Sequence, residues 1–448
     1  MQLKEVRISQ LFGHFNHVVK LNNDEKITII TAPNGYGKTM ILKTLNYIFN
    51  GKTLLLKHIE FDVITLIFDD KFLSIKKDDS GLAIKLYRGY PSENSEQEEL
   101  KFFFYNDDSD VSTPISKLSS IDELLPHLDR VNRMEWLDTS TDDILSLGMI
   151  LDRYPEINDF LQIERKALPK WFSEITEGIN VHFVQDQRLI QRFEMIDFDR
   201  FRKHRPGMRG NNRRTIDTIE KYSSELSAFI SKYNEKYSEV SKQLDSSLPA
   251  RLLSKTKKIE IYNQETLKIK LDDISKKNER LKKHTLLKSN FLFIPAIEGI
   301  SSEDIKVLSL YVQDNTQKLS VYDDILSKIE LFTDILNNKG LAFKKIVVNQ
   351  DEGFFFVNDS DKTLKLTQLS SGEQHEVVLV YELIFKAKDN DLVLIDEPEI
   401  SLHIAWQKEF LEDIKRIIDI QNVSIIIATH SPQIIDNNWD LTVDLGEE

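Results

Sequence analysis

Ile27-Thr28-Ile29-Ile30-Thr31 runs straight into Ala32-Pro33-Asn34-Gly35-Tyr36-Gly37-Lys38-Thr39, and then into Met40-Ile41-Leu42-Lys43-Thr44-Leu45-Asn46-Tyr47-Ile48-Phe49. The first block reads as a short buried strand, and the last spaces its apolar residues as a helix does. Between them lies a glycine turn that ends in Lys-Thr. A strand, a glycine turn, Lys-Thr and a helix, in that order, form the frame in which backbone N–H groups face phosphate oxygens at a helix N-terminus. On that reading Asn34, Gly35 and Gly37 belong to the turn, Lys38 reaches the β- and γ-phosphates, and the Thr39 hydroxyl joins a Mg²⁺ shell. The plain alternative is a glycine turn with an exposed lysine. Ala32 stands where such loops usually carry glycine, which a turn without positive φ at that point tolerates. Gly51-Lys52-Thr53 repeats the final letters after a helix, with no strand before it, and reads as a loop.

Leu392-Val393-Leu394-Ile395-Asp396-Glu397, which begins far downstream, is an apolar strand that ends in two carboxylates. A strand buried on both faces ends in acids for a reason when its C-terminal edge opens on a site. Asp396 would hold Mg²⁺, and Glu397 would polarise the attacking water. Leu369-Ser370-Ser371-Gly372-Glu373-Gln374 precedes another helix, with Ser370 lying 26 residues before Asp396. Ser370 as N-cap with Glu373 three residues on is a capping box, which accounts for those two residues. Capping does not account for the order of the residues downstream: Pro398 after the carboxylates, then Ser401-Leu402-His403, then the strand Val423–Ala428 ending in Thr429-His430-Ser431-Pro432. His430 follows a buried-type strand beside the one that bears the carboxylates, within reach of a γ-phosphate.

Taken together, these motifs resemble an ABC-class ATPase head of the SMC and OLD-nuclease lineage, within the AAA family of ATP-binding proteins. Ala32–Thr39 is similar to the Walker A loop, Leu369–Gln374 to the signature motif and Leu392–Glu397 to Walker B. Glu399–His403 is similar to the D-loop and His430 to the switch histidine, and Gln187, after Val181–Val184, is the Q-loop candidate. The resemblance implies an α/β ABC-type head: a mixed sheet with an antiparallel β-subdomain and a helical, short coiled-coil-like insertion. It implies ATP hydrolysis with Mg²⁺. Glu397 and His430 would be catalytic, Asn34, Gly35, Gly37, Lys38, Thr39, Ser370 and Gly372 would bind ATP, and Thr39, Gln187 and Asp396 would serve the metal. In such heads the nucleotide lies between two copies, so Ser370 and Gly372 would act on the other subunit's ATP, and dimers could build a larger oligomer. Ser371 replaces the usual glycine.

SMC proteins carry arms of hundreds of residues, whereas the insertion here has about 140. The repair ATPases' cysteine hook has no counterpart, since the chain has no cysteine, and only 18 residues follow His430 where OLD nucleases continue into a Toprim domain. What remains resembles the compact ATPases of antiphage systems such as PARIS, Septu and some retrons, which work with a separately encoded nuclease or toxin. The competing readings are an SMC-like DNA repair ATPase and a transporter's ATP-binding subunit.

Composition sets outer bounds. The 448 residues are 40% hydrophobic and 29% charged, enough for two or three folded domains. The absence of cysteine excludes disulfides, thiolate metal sites and a cysteine nucleophile. No apolar run approaches the roughly 20 residues of a membrane span, and Met1–Gln10 lacks a signal peptide's apolar block. A cytoplasmic location with no membrane contact is expected. Net charge is −14, yet residues 201–290 hold 22 basic and 11 acidic residues, leaving −25 on the rest. That basic tract, Arg202–Arg214 and Lys255–Lys288 in particular, reads either as a surface for nucleic acid or an acidic phage protein or as a solvated helix face.

The periodicity predicts strands over 2–31 and an antiparallel meander over 61–88, an edge strand near Phe102, helices over 121–180, and a strand at Val181–Val184. Ile216, Ile219, Tyr222, Leu226, Phe229, Tyr233, Tyr237, Val240 and Leu244 form one helical stripe of about 29 residues. Leu248-Pro249-Ala250 is the expected break, followed by helices to about Lys288 and over Asp304–Leu336, then a hairpin at Lys344–Val357. The expected domains are an N-terminal lobe over 1–200, a basic helical insertion over 201–340 and a C-terminal lobe over 341–448.

Overall fold

The computed structural model describes residues 1–78, 81–89, 95–103, 121, 125, 128–131, 135–138, 143–146, 150, 169–184, 217–253, 260–287, 301–339, 341, 343–400 and 402–446. Two units pack separately: residues 1–216 together with 386–448, and residues 217–385.

The first unit opens with β1 (Leu3–Leu11), β2 (Phe15–Lys20) and β3 (Ile27–Thr31), followed by helix α1 (Lys38–Phe49). The strands β4 (Val63–Phe68), β5 (Lys71–Asp78), β6 (Gly81–Arg88) and β7 (Ser95–Phe103) then join β1 and β2 in one antiparallel sheet, ordered β2-β1-β4-β5-β6-β7. Alternating burial along β1 and β5 is the period-two pattern of a sheet with one face in the core. β8 (Leu128–Arg130), β9 (Glu135–Asp138) and β10 (Asp143–Ser146) form a small sheet in the region expected to be helical. There a fully buried Trp136, with the Arg130 guanidinium 5.1 Å from its ring and buried Leu128 and Leu145 nearby in sequence, overrides helical spacing. A short helix, α2 (Lys170–Glu177), leads to β11 (Val181–Val184).

The second unit holds α3 (Thr218–Leu253), α4 (Gln264–Lys283), α5 (Ser302–Ser320) and α6 (Asp323–Asn338). These are followed by the sheet of β12 (Lys344–Asn349), β13 (Gly353–Asn358) and β14 (Thr363–Leu364), and by α7 (Ser371–Tyr381), which continues as a π turn over Glu382–Lys386. The expected break at Pro249 does not occur, because α3 runs through it. A mid-helix proline costs about 3 kcal/mol, because the carbonyl four residues back, here that of Asp245, loses its donor and is crowded by the ring. In the turn before the proline, Arg251 Nη2 donates to the Leu244 carbonyl at 2.7 Å, and the Ser247 hydroxyl reaches Gln243 and Leu244. Asp314 holds the guanidinium through both oxygens. On the apolar stripe, Ile219, Tyr222, Leu226 and Leu244 are buried as expected, but Phe229 is exposed and Ile230 takes the inward position. Tyr233 donates to Asp324, and Tyr237 packs on Tyr322.

Back in the first unit, β15 (Leu392–Asp396), α8 (Ile404–Gln421), β16 (Ser424–Thr429), the one-turn α9 (Pro432–Ile435) and β17 (Thr442–Asp444) complete a parallel sheet ordered β11-β15-β16-β3-β17. Its central strands, Ile-Thr-Ile-Ile-Thr, Leu-Val-Leu-Ile-Asp and Ser-Ile-Ile-Ile-Ala-Thr, are nearly continuous apolar runs, as strands covered on both faces are. One apolar core joins Ile41, Leu42, Leu45 and Ile48 of α1 to Ile30, Leu394 and Ile426 of this sheet and to Val6, Ile64 and Leu66 of the antiparallel one. The mixed α/β class with an antiparallel sheet and a helical region is therefore as expected. Among the described residues, no helix is long and apolar enough to cross a membrane.

Candidate active site

Parallel strands share one carboxyl edge, so the loops after β3, β15 and β16 emerge side by side. The register makes this concrete: Asp396 pairs with Ala428, and Thr429 with Thr31. Three stretches spread over some 400 residues thus meet at one edge, as their motifs required.

The loop after β3 turns at Gly35 and Gly37, both at φ 91°, a left-handed conformation that glycine adopts without strain. Gly37 also sits against the core. A Cβ there would lie 2.5 Å from Leu11 Cδ2, whereas one on Gly35 would meet nothing within 4 Å. Gly37 is the N-cap of α1 and offers no side chain to the first turn, which leaves its N–H groups to a ligand. Lys38 is only 4% exposed, and its ammonium donates to the carbonyls of Ala32 at 2.7 Å and Pro33 at 3.4 Å. It has no carboxylate partner among the described residues. A buried cation held only by carbonyls suits an anion at the loop mouth, which excludes the exposed-lysine alternative. His17, buried on β2, donates Nε2–H to the Tyr36 carbonyl at 2.8 Å, and Phe15 packs on both rings. Burial pushes the His17 imidazole below its usual range, and the Tyr36 carbonyl partly opposes this. This brace was missed from sequence; its signal was the inward positions His17 and Val19 on a strand that otherwise reads as ordinary.

Thr39 Oγ1 donates to Asp396 Oδ1 at 3.0 Å, the contact that joins the phosphate-type loop to the carboxylate strand. A hydroxyl and a carboxylate oxygen together are hard donors of the kind Mg²⁺ takes, usually alongside water and phosphate oxygens. Glu397 stands at φ 41°, unusual for a non-glycine residue and typical of functional turns. Its Oε1 lies 4.0 Å from Nδ1 of His430, the other residue expected to be catalytic. Closer still is Glu399, whose Oε1 is 3.0 Å from the same nitrogen.

Asn34 and Gly35 are at the exposed loop tip. Gln187 and Ser401 lie outside the described residues, as do Arg202–Arg214 and Lys255, Lys257 and Lys258. Ser370 and Gly372 belong to the second unit, at the head of α7. The capping box expected there is present: Ser370 Oγ accepts from Glu373 N, and Glu373 accepts from Ser370 N at 2.7 Å. Lys344 Nζ adds contacts of 2.7 and 2.8 Å to the Glu373 carboxylate. Burial pushes the Glu373 carboxyl up, but Lys344 and the Ser370 donors together hold it below the usual carboxylate range. On α4, Lys277 and Arg280 pair with Asp323 and Glu330, so part of the basic tract is neutralised within the unit.

Comparison with known proteins agrees with this geometry. Residues 1–435 match the family model described as an AAA ATPase domain. Protein ea59 of Escherichia phage lambda is 31% identical over 114 residues, covering 25% of this chain and 22% of that protein. UvrABC system protein A of Rickettsia typhi is 25% identical over 129 residues, or 29% of this chain and 13% of that one. The chain therefore spans less than a quarter of the length of these curated relatives. The SMC head domain from Thermotoga maritima aligns over 97% of this chain and 92% of its own at 10% identity, with a TM-score of 0.30. With 435 of its 448 residues matched by the family model and the phosphate-type loop joined to the carboxylate strand, the chain belongs to the AAA ATPase domain family.

Proposed function

We propose that the chain binds and hydrolyses Mg·ATP at the carboxyl edge of its parallel sheet, and that its ATP state controls a separately encoded effector. The observation that carries the catalytic part is the Thr39–Asp396 contact beside the buried Lys38. The Gly35–Lys38 backbone and Lys38 hold the phosphates. Thr39, Asp396 and Gln187 would hold Mg²⁺, which would supply charge neutralisation to the phosphates. Glu397 polarises the attacking water, and His430 meets the γ-phosphate from the neighbouring strand.

Two copies close around ATP, with Ser370 and Gly372 of each serving the other's nucleotide, and larger assemblies are built from such dimers. The effector is a nuclease or toxin in antiphage defence, of the kind found with PARIS and Septu. The motif order supports this reading. A second reading, an SMC-like DNA repair ATPase, uses the same site and draws on the basic tract at 201–290. The test uses Lys38→Ala in cells that carry the chain and its neighbouring gene. Loss of ATP binding with loss of phage protection is expected. Protection that survives without ATP binding contradicts the proposal, and hydrolysis stimulated by DNA ends favours the second reading.

A further inference from the structure

The side chains of Glu399 and Gln407 hold the turn that carries His430. Glu399 Oε1 accepts from Thr429 Oγ1 at 2.7 Å and from His430 N at 2.8 Å, and it lies 3.0 Å from His430 Nδ1. Thr429 Oγ1 in turn accepts from Ser431 N at 3.0 Å. Ser431 Oγ donates to Gln407 Oε1 at 2.7 Å, and Gln407 Nε2 donates back to the Leu402 carbonyl at 3.0 Å and the Glu399 carbonyl at 3.3 Å. Three consecutive residues, 429 to 431, are thereby anchored to Glu399 and Gln407. The anchor is buried and the working end is open: the Glu399 side chain is 6% exposed, the imidazole 48%.

A neutral side chain could staple this turn more cheaply. A buried carboxylate is expensive unless its charge is used, and Glu399 Oε2 has no hydrogen-bond partner among the described residues. What the charge faces is the imidazole. An Nδ1 turned toward one carboxylate at 3.0 Å and a second, Glu397, at 4.0 Å carries the proton, leaving Nε2 as the nitrogen that can meet a phosphoryl oxygen or water.

We infer that Glu399 is a positioning residue for the ATPase reaction: through Oε1 it fixes the Thr429–Ser431 turn and the tautomer and direction of the His430 ring. This role rests on the hydrolytic reading of the site. It separates the two carboxylates by task, with Glu397 on the water and Glu399 on the histidine. It also ties the segment carrying Glu399, which enters α8, to the catalytic histidine, so that displacement of that segment moves His430 with it.

The experiment uses the full chain with Mg·ATP and measures kcat, KM and affinity for a non-hydrolysable ATP analogue in Glu399→Ala, Glu399→Gln, His430→Ala and the two double variants. Misplacing a reacting group by about 1 Å costs on the order of 100-fold, so Glu399→Ala is expected to lose about 10- to 100-fold in kcat, with analogue affinity within about 3-fold of wild type. Glu399→Gln keeps an acceptor for Thr429 and His430 N but loses the charge, so its loss is smaller and its melting curve stays close to wild type. In the His430→Ala background either Glu399 change adds little further loss, because both act through one ring. A wild-type kcat in both Glu399 variants overturns the inference, and so does a full multiplicative loss in the doubles. If Glu399→Ala fails to fold, the Gln cycle alone decides. A wild-type chain that neither binds nor hydrolyses ATP overturns the underlying reading instead.

Discussion

Gly35 and Gly37 share the same backbone angle, φ 91°, but not the same surroundings, and this makes them a matched pair. Alanine at either position meets the steric cost of a left-handed residue, about 1–2 kcal/mol. At Gly35 that is all, since a Cβ has no neighbour within 4 Å. At Gly37 the Cβ would lie 2.5 Å from Leu11 Cδ2 and 3.4 Å from Phe12 Cε2. Carbon atoms pack at about 3.5–4.0 Å, so more than 1 Å of movement is needed from Leu11, which is fully buried. Overpacking of that kind costs a further 1–3 kcal/mol or so. If these costs fall on the phosphate-binding conformation, Gly35→Ala loses about 5- to 30-fold in ATP affinity, and Gly37→Ala about 30-fold or more. The assay is equilibrium titration with a fluorescent ATP analogue, alongside thermal melts to confirm folding. Equal losses for the two variants, or a Gly37→Ala protein that binds like wild type, would refute the steric account of the loop.

Two further outcomes concern the helix that begins at Ser371. Ser370→Arg should prevent an ATP-dependent dimer of the Glu397→Gln protein while leaving ATP binding by the single chain intact. Light scattering that shows the dimer persisting would remove Ser370 from the shared site. The Lys344–Glu373 pair should stabilise the second unit by about 1.5–3 kcal/mol. Because the folded Glu373 pKa is depressed, this contribution is complete above the ordinary carboxylate value of about 4.3 and is lost as pH falls through the lower folded value. Lys344→Met leaves only the Ser370 donors to oppose burial, so the folded Glu373 value rises and the acid-dependent loss in thermal melts between about pH 3 and 6 should shrink. An unchanged profile would show that the pair contributes nothing.

What could be read in advance follows physical range. The Ile27–Phe49 unit was legible because strand, turn, Lys-Thr and helix are consecutive and each has its own local signal. Asp396 and His430 were legible although they lie far from Lys38, because buried parallel strands announce themselves as apolar runs and their carboxyl ends share an edge. The brace of His17 on Tyr36 and the hold of Glu399 on the His430 turn were not legible, since both depend on which residues two strands or loops bring opposite one another. Pro249 misled for a related reason. The helix around it is tied down by Arg251, which is fixed by Asp314, a residue 63 positions away. The three short strands between Leu128 and Ser146 show the same limit, because at three or four residues each their alternation is too brief to outweigh a helical spacing.

The central claim is that Glu397 acts on the water that attacks ATP held by the Lys38 loop. Phosphate release by Glu397→Gln at saturating Mg·ATP, with ATP affinity measured on the same sample, tests it most directly. Affinity within about 3-fold of wild type and hydrolysis slowed by at least about 100-fold is the predicted result. Wild-type turnover in that variant would contradict it.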